Sequence, residues 1–171
     1  MKLQIASRGD FDSVYDAIES SFIPEERRDR EDARRLMNEG RYTLLHVVDK
    51  EERVGFLTVW ELEGFAFVEH FVTYEKFRNK GYGSAALELL KARYENIVLE
   101  AEPPDEGLAA RRIAFYERCG FCRNKQYYLQ PPYRKDASGV ELVLMSLPAV
   151  PEDFDSVANE IYLKVYGIVR K

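Results

Sequence analysis

Histidine, cysteine and tryptophan are scarce in this chain: two, two and one among 171 residues. A structural zinc site needs Cys or His ligands in close pairs, and here His46 and His70 lie far from Cys119 and Cys122, so no metal is expected. The two cysteines have C-x-x-C spacing, which leaves a redox pair open. Their place on an expected helix-to-strand turn favours two small, half-buried residues instead. Long apolar runs are also missing. Nothing approaches the roughly 20 residues that span a bilayer, and Met1-Lys2-Leu3-Gln4-Ile5-Ala6 lacks the apolar core of a signal peptide. No membrane association is expected, and a cytoplasmic location follows by default. Positive charge is in deficit, since 25 Lys and Arg against 30 Asp and Glu leave a net charge of −5. That balance argues against a nucleic-acid partner held by bulk charge, and it would attract cationic amines weakly at physiological salt.

Internal repeats, low-complexity segments and linkers are absent too. What remains is an ordinary globular composition, 46% hydrophobic and 32% charged, enough for one domain over residues 1–171 with a well-formed core. Residues 3–6 predict a strand, and Asp10 can cap a helix with Phe11, Val14, Tyr15, Ile18 and Phe22 on one stripe. Pro24 then opens a second helix at its first position, with Glu25 and Glu26 suited to the positive helix end. Residues 25–41 carry dense mixed charge, the pattern of a solvated face laced with ion pairs. Residues 42–48, 54–62 and 65–74 read as three strands separated by hairpin turns at 49–52 and 63–64.

A helix over 82–93 leads to a strand over 97–101, which runs parallel to the third because a strand-helix-strand crossover returns the chain in the same direction. Pro103 and Pro104 end it. A helix over 107–118, stopped by Gly120, precedes strands at 121–129 and 140–147 joined through Gln130-Pro131-Pro132-Tyr133. Beyond Pro148 and Pro151, residues 153–168 place Phe154, Val157, Ile161, Val165 and Ile168 on one helical stripe. Residues 151–171 are therefore a C-terminal helical extension, packed on the domain or on a second copy, which leaves a homodimer open. The fold class is α/β, a mixed sheet of about six to seven strands with helices on both faces.

Between the third of the central strands and its helix lies Arg78-Asn79-Lys80-Gly81-Tyr82-Gly83-Ser84. The first N–H groups of a helix have no internal partner and sit at the positive end of its dipole. A glycine-rich turn there lets a polyanion reach the main chain, and Arg78 and Lys80 add cations, so a phosphate or pyrophosphate is the expected ligand. A dinucleotide fingerprint needs a third glycine and a Walker loop needs Gly-Lys before Ser or Thr; neither is present. On this local pattern alone, a basic turn that binds nothing stays open.

Arg78-Asn79-Lys80-Gly81-Tyr82-Gly83 resembles the Arg/Gln-x-x-Gly-x-Gly/Ala signature of the GNAT superfamily of acyl-CoA-dependent N-acetyltransferases. Glu69-His70-Phe71 precedes it at the spacing of that family's central strand. Phe115-Tyr116-Glu117-Arg118-Cys119-Gly120-Phe121 resembles the family's downstream Phe-Tyr-Glu-x-x-Gly-Phe signature. Two signatures in the right order, within roughly residues 42 to 130, reinforce each other.

The resemblance implies a GNAT-like fold, acetyl-CoA as co-substrate, and direct transfer of the acetyl group to a primary amine of a small molecule or peptide in a ternary complex. It implies that main-chain groups of Phe71, Val72 and Thr73 pair with the pantetheine arm, that residues 78–84 hold the pyrophosphate, and that the two parallel strands splay to admit it. Such chemistry needs a base for the ammonium, a donor for the oxyanion and an acid for the leaving thiolate. Tyr116 matches the family tyrosine that faces the sulfur and is the expected acid. Glu69 stands where several members carry an acidic group facing the acceptor, as base or amine anchor; Glu100, Glu102 and a water chain are the alternatives. His70 points away from Glu69 if the strand alternates regularly, as a packed side chain.

The first helix pair would flank the acceptor, with Phe22, Glu25 and Glu26 as second-rank contacts. Tyr127, Tyr128, Tyr133, Tyr162 and Tyr166 either line that site or serve as core. Two positions depart from the family pattern: Ala109 replaces an asparagine that contacts pantetheine, and Thr73 stands where valine is commoner. A protein that binds or senses acyl-CoA without turnover is the alternative function.

Overall fold

The computed structural model describes residues 1–104, 107–134, 137–148 and 153–170. In chain order the strands are β1 (Lys2–Ile5), β2 (Tyr42–Asp49), β3 (Glu52–Leu62), β4 (Phe65–Thr73), β5 (Ile97–Ala101), β6 (Cys122–Arg123), β7 (Tyr128–Gln130) and β8 (Val140–Leu147). The helices are α1 (Phe11–Ser21), α2 (Arg30–Leu36), α3 (Tyr82–Lys91), α4 (Gly107–Arg118) and α5 (Phe154–Lys164). Strands β1 to β4 are antiparallel neighbours. The turns between them use positive φ, at Lys50 (45°) and Glu51 (68°) before β3 and at Gly64 (83°) before β4, which suits the twist of a tight hairpin. Helix α3 then returns the chain so that β5 lies parallel to β4, and β8 closes against β5 antiparallel.

Strand alternation sorts the apolar side chains to two faces. Ala66 and Val68 of β4, with Leu57, Val59, Ile97 and Leu99, meet Leu87 and Leu90 of α3 and Ile113 and Tyr116 of α4. Phe67, with Trp60, Val98 and Leu144, meets Phe154, Ala158 and Ile161 of α5. Alongside, α1 covers Leu44, Phe56 and Val72 with Val14, Tyr15 and Ile18. The C-terminal helix is thus a layer of its own domain's core. Each fully buried aliphatic or aromatic side chain contributes roughly 1.5–3 kcal/mol, so this face needs α5 in place.

The structure departs from the sequence expectations at several points, among them the C-terminal helix, which ends at Lys164 rather than 168 and leaves Ile168 exposed. Asp10 sits at the start of α1 but does not cap it; its carboxylate accepts from the Ser7 N–H at 2.8 Å and hydroxyl at 2.7 Å. Pro24 opens only a single 3-10 turn, Pro24–Glu26, after which Arg27 is extended and α2 begins at Arg30. The interruption sends Arg27 to the Tyr15 hydroxyl at 3.2 Å and Arg28 to Glu69 at 3.2 Å, positions that one continuous surface helix would not reach.

The stretch expected as one strand over 121–129 is two, which makes the sheet eight-stranded among the described residues. Cys122 pairs with Ser146 and Tyr128 with Leu142, and between them buried Asn124 caps the Leu144 carbonyl through its main-chain N–H and its side-chain amide. Finally, Cys119 is buried and Cys122 exposed, both as free thiols. The expected breaker Pro151 lies outside the described residues.

Phe67 is fully buried on β4. Phe67→Ala is expected to lower unfolding stability by about 3–5 kcal/mol, read from the urea midpoint at unchanged m-value.

Candidate active site

Strands β4 and β5 pair over only three positions, Ala66 with Ile97, Phe67 with Val98 and Val68 with Leu99. Beyond them the strands part. The cause is visible in the register with β3, where Thr58 opposes His70 and Val59 opposes Val68, leaving Glu69 as an extra residue. Such a bulge bends its strand and ends regular pairing. From His70 to Thr73, β4 is paired to β3 on one edge, while its other edge has no strand partner among the described residues.

The bulge also shifts the alternation. His70 holds Thr58, with Nδ1 at 3.1 Å from the hydroxyl, and its ring meets Phe22 edge-on at 4.7 Å. Thr58 and Trp60 share a face of β3 by the two-residue period, and Trp60 donates to Glu69 at 2.8 Å. His70 and Glu69 therefore lie on the same face, contrary to regular alternation. His70 is packed, as expected, and burial lowers its pKa.

Past Thr73 the chain reaches the glycine turn. Asn79 at φ 59° and Gly81 at φ 84° both adopt left-handed backbone, which Gly81 takes without steric cost. Gly81 begins α3 with no side-chain cap and no acidic residue in the first turn. The N–H groups of Gly81, Tyr82, Gly83 and Ser84 have no hydrogen-bond partner among the described residues. Arg78 bonds the Thr73 carbonyl at 3.3 Å and Lys80 the Lys76 carbonyl at 2.8 Å, leaving both positive charges without a carboxylate partner among those residues. A Cβ at Gly83 would stand 3.2 Å from the Phe115 ring, so small size there lets α4 approach α3. The turn thus presents exposed amides, a helix dipole and two cations, the physical requirements for a pyrophosphate.

On the face covered by α1 and α5, two carboxylates flank the parting. The Glu69 side chain is 1% exposed and each of its oxygens is engaged, by Arg28 Nε at 3.2 Å, Trp60 Nε1 at 2.8 Å and the Tyr133 hydroxyl at 2.8 Å. Burial alone would raise its pKa, but the Arg28 guanidinium and these donors hold it below the ordinary carboxylate range. Arg28 itself lies over the rings of Tyr133 and Trp60, at 4.7 and 5.5 Å.

Glu100 has no such cation. Tyr128 donates to its Oε1, and Tyr166 donates to its Oε2 at 2.7 Å. Burial, with the nearby charges of Glu69 and Glu26, pushes Glu100 up to about 7 against those two donors. Glu26 is raised as well, by burial and by Glu102, which is paired to Arg112 at 2.6 Å.

On the opposite face, Tyr116 is buried between Phe115 and Phe121. Its hydroxyl makes no hydrogen bond among the described residues, and burial pushes its pKa up to about 12, so it is a phenol at neutral pH. A cavity of about 510 Å³ at the other ends of β4 and β5, beneath α5, shares no residue with this arrangement.

A family model described as the acetyltransferase (GNAT) family matches residues 11–121, more than half of the chain. The chain belongs to the GNAT acetyltransferase family. Among solved structures it is similar to a Bacteroides thetaiotaomicron protein assigned to the GNAT family, at 32% identity over 98% of this chain and 99% of that one, with a TM-score of 0.92. An aminoglycoside 6′-N-acetyltransferase complexed with coenzyme A matches at 17% identity over 90% and 99% of the two chains, TM-score 0.64. The ribosomal-protein-S18-alanine N-acetyltransferase of Escherichia coli matches at 19% identity over 90% and 97%, TM-score 0.63. A comparison with curated proteins finds no match.

In this GNAT acetyltransferase the residues expected from sequence fall into three places. Arg78 to Ser84 and the Phe71–Thr73 edge line the glycine-turn side, Tyr116 stands on the α4 face, and Glu69 and Glu100 lie on the α5 face. Of the second-rank group, Phe22 packs on His70 and Glu26 lies near Glu100, whereas the Glu25 carbonyl accepts from Gln130 at 3.1 Å. Tyr128, Tyr133 and Tyr166 join the carboxylate cluster; Tyr162 donates to the Leu129 carbonyl, and Tyr127 is 65% exposed. Arg28 and Trp60, which belong to no sequence motif, complete the cluster. Arg28 is hidden in a run of charges, and the signal for Trp60 is its register opposite Phe67, beside the glutamate.

Removing Arg28 would leave Glu69 as an uncompensated buried charge. Arg28→Met is expected to cost about 3 kcal/mol at pH 7. Because the folded Glu69 pKa lies below its unfolded value, the wild-type advantage is present above the unfolded value and is lost as pH falls through the folded one. Urea melts at pH 7 and pH 4 should therefore show the gap between the two proteins narrowing in acid.

Proposed function

We propose that this chain is an N-acetyltransferase that passes an acetyl group from acetyl-CoA to a primary amine of a small molecule or peptide within a ternary complex. The observation that carries the reading is the parting of β4 and β5, with an ionisable carboxylate on one face and a neutral phenol on the other. Acetyl-CoA supplies the activated acyl carbon and a thiolate leaving group. The unpaired edge of Phe71, Val72 and Thr73 would hold its pantetheine arm, and the amides of Gly81 to Ser84, with Arg78, Asn79 and Lys80, its pyrophosphate. Exposed N–H groups, left-handed backbone and unpaired cations fit that ligand.

Glu100 removes the proton of the acceptor ammonium, because a carboxylate near pH 7 is close to the optimum for general-base work. Tyr116 gives a proton to the departing sulfur. Glu69, considered from sequence as base or amine anchor, takes a positioning role in this proposal: its low pKa and sealed oxygens suit it to fixing Arg28 and Tyr133. Glu26 and Glu100, both short of cation partners, favour a positively charged acceptor approaching from the α1 and α5 face.

The test is thiol release from acetyl-CoA across a panel of small amines and peptide N-termini. Wild-type kcat/KM should rise with pH through about 7, since Glu100 must lose its proton to act. Glu100→Gln should remove that limb and lower the rate by about 10²–10⁴. Tyr116→Phe should slow turnover by a similar factor while calorimetric affinity for coenzyme A is retained. Unchanged rates in both variants, or no heat on titrating coenzyme A, would reject the proposal.

A further inference from the structure

The base just proposed is unusual in lacking a positive partner. Among the described residues its contacts are two hydroxyls, from Tyr128 on β7 and Tyr166 in the tail after α5. The other titratable groups that bear on it are Glu69 on β4, Glu26 ahead of α2, Tyr133 in the loop before β8 and Tyr162 on α5. Tyr166 is outside the span matched by the family model, so nothing in that pattern assigns it a role.

The tail that carries Tyr166 is held by several independent contacts. Arg28 Nη2 donates to the Val165 carbonyl, the Tyr162 hydroxyl donates to the Leu129 carbonyl, and Arg170 pairs with Asp155. Gly167, at φ 69°, turns the chain immediately after Tyr166. The Tyr166 ring lies 5.1 Å from that of Tyr133, and their hydroxyls are 3.4 Å apart. Each hydroxyl has a single proton, and in this arrangement both are directed to carboxylates, Tyr133 to Glu69 and Tyr166 to Glu100. Arg28 therefore fixes both acids, Glu69 by direct pairing and Glu100 through the tail segment that it grips.

Resting on the acetyl-transfer reading above, we infer that Tyr166 is a positioning residue of the site, orienting the Glu100 carboxylate and stabilising its ionised form through the hydroxyl donated to Oε2. When Glu100 takes a proton from the acceptor ammonium, the N–H bond breaks with its electron pair left on nitrogen, and an O–H bond forms on the carboxylate. The Tyr166 hydroxyl can then rotate its own proton toward the Tyr133 oxygen and accept from the new carboxylic acid. Atoms and charge balance without any further reactant.

Tyr166→Phe keeps the ring against Tyr133 and removes only the hydroxyl. The carboxyl carbon of Glu100, followed by ¹³C NMR on the whole protein, should titrate about one unit higher in Tyr166→Phe than in wild type, the size expected for losing a hydrogen bond to a charged group. The acid limb of kcat/KM should move upward with it, giving about a tenfold loss of rate below pH 6 and near-recovery above pH 9. Tyr162→Phe, which loosens the same tail without touching Glu100, should leave the midpoint in place. An unmoved midpoint in Tyr166→Phe, or an equal shift in Tyr162→Phe, overturns the inference. If no amine is acetylated by the wild type and the midpoint still shifts, the transfer reading falls while the coupling of Tyr166 to Glu100 is supported.

Discussion

The geometry of this acetyltransferase depends on one residue too many in a strand. With Glu69 inserted opposite the Thr58–Val59 step, β4 cannot keep its neighbour β5 beyond Val68. Main-chain groups past that point must be satisfied by water or by a ligand, because unpaired backbone is costly when buried. Glu69 shows the result in miniature: the residue is partly exposed although its carboxylate is sealed, so what faces the opening is peptide. The same bulge turns Glu69 and His70 to one face, which crowds polar groups against the α1 and α5 side and leaves the α3 and α4 side apolar up to Tyr116.

Two glutamates one strand apart end up with opposite tendencies, and the difference is one guanidinium. Glu69 has Arg28 and stays ionised; Glu100 has only phenols and sits near neutrality. Environments that separate the proton affinities of neighbouring acids are how a site assigns distinct roles to like residues. Arg28 is itself tolerable in a half-buried position because Trp60 and Tyr133 offer ring faces to a weakly hydrated cation.

What could be read from sequence was what is local. The glycine turn, both hairpins, the crossover helix and the strand at 97–101 are each encoded by adjacent residues: turn formers between apolar runs, or periodicity within one run. The Tyr116 signature was legible for the same reason. The bulge was not, because Glu69 continues the strand pattern and only pairing with β3 reveals the extra residue. Nor was the break at Arg27, since the Arg28 salt bridge that it permits reaches a strand 41 positions away. The interruption at Asn124 belongs to the same class, as a side chain that competes for a carbonyl on β8 gives no periodic sign. Tyr166 was visible only as one of several tyrosines, any of which would serve a core equally well.

The spacing of these contacts along the polypeptide orders how the molecule comes together. The glycine turn is closed by neighbours, whereas the carboxylate cluster needs residue 28 to meet residue 165, a separation of 137, and residue 100 to meet residue 166, a separation of 66. Loop-closure entropy makes such distant encounters late events. A folding chain would thus form its glycine turn well before its two glutamates are assembled, and the carboxylate cluster would be complete only with the final docking of the tail.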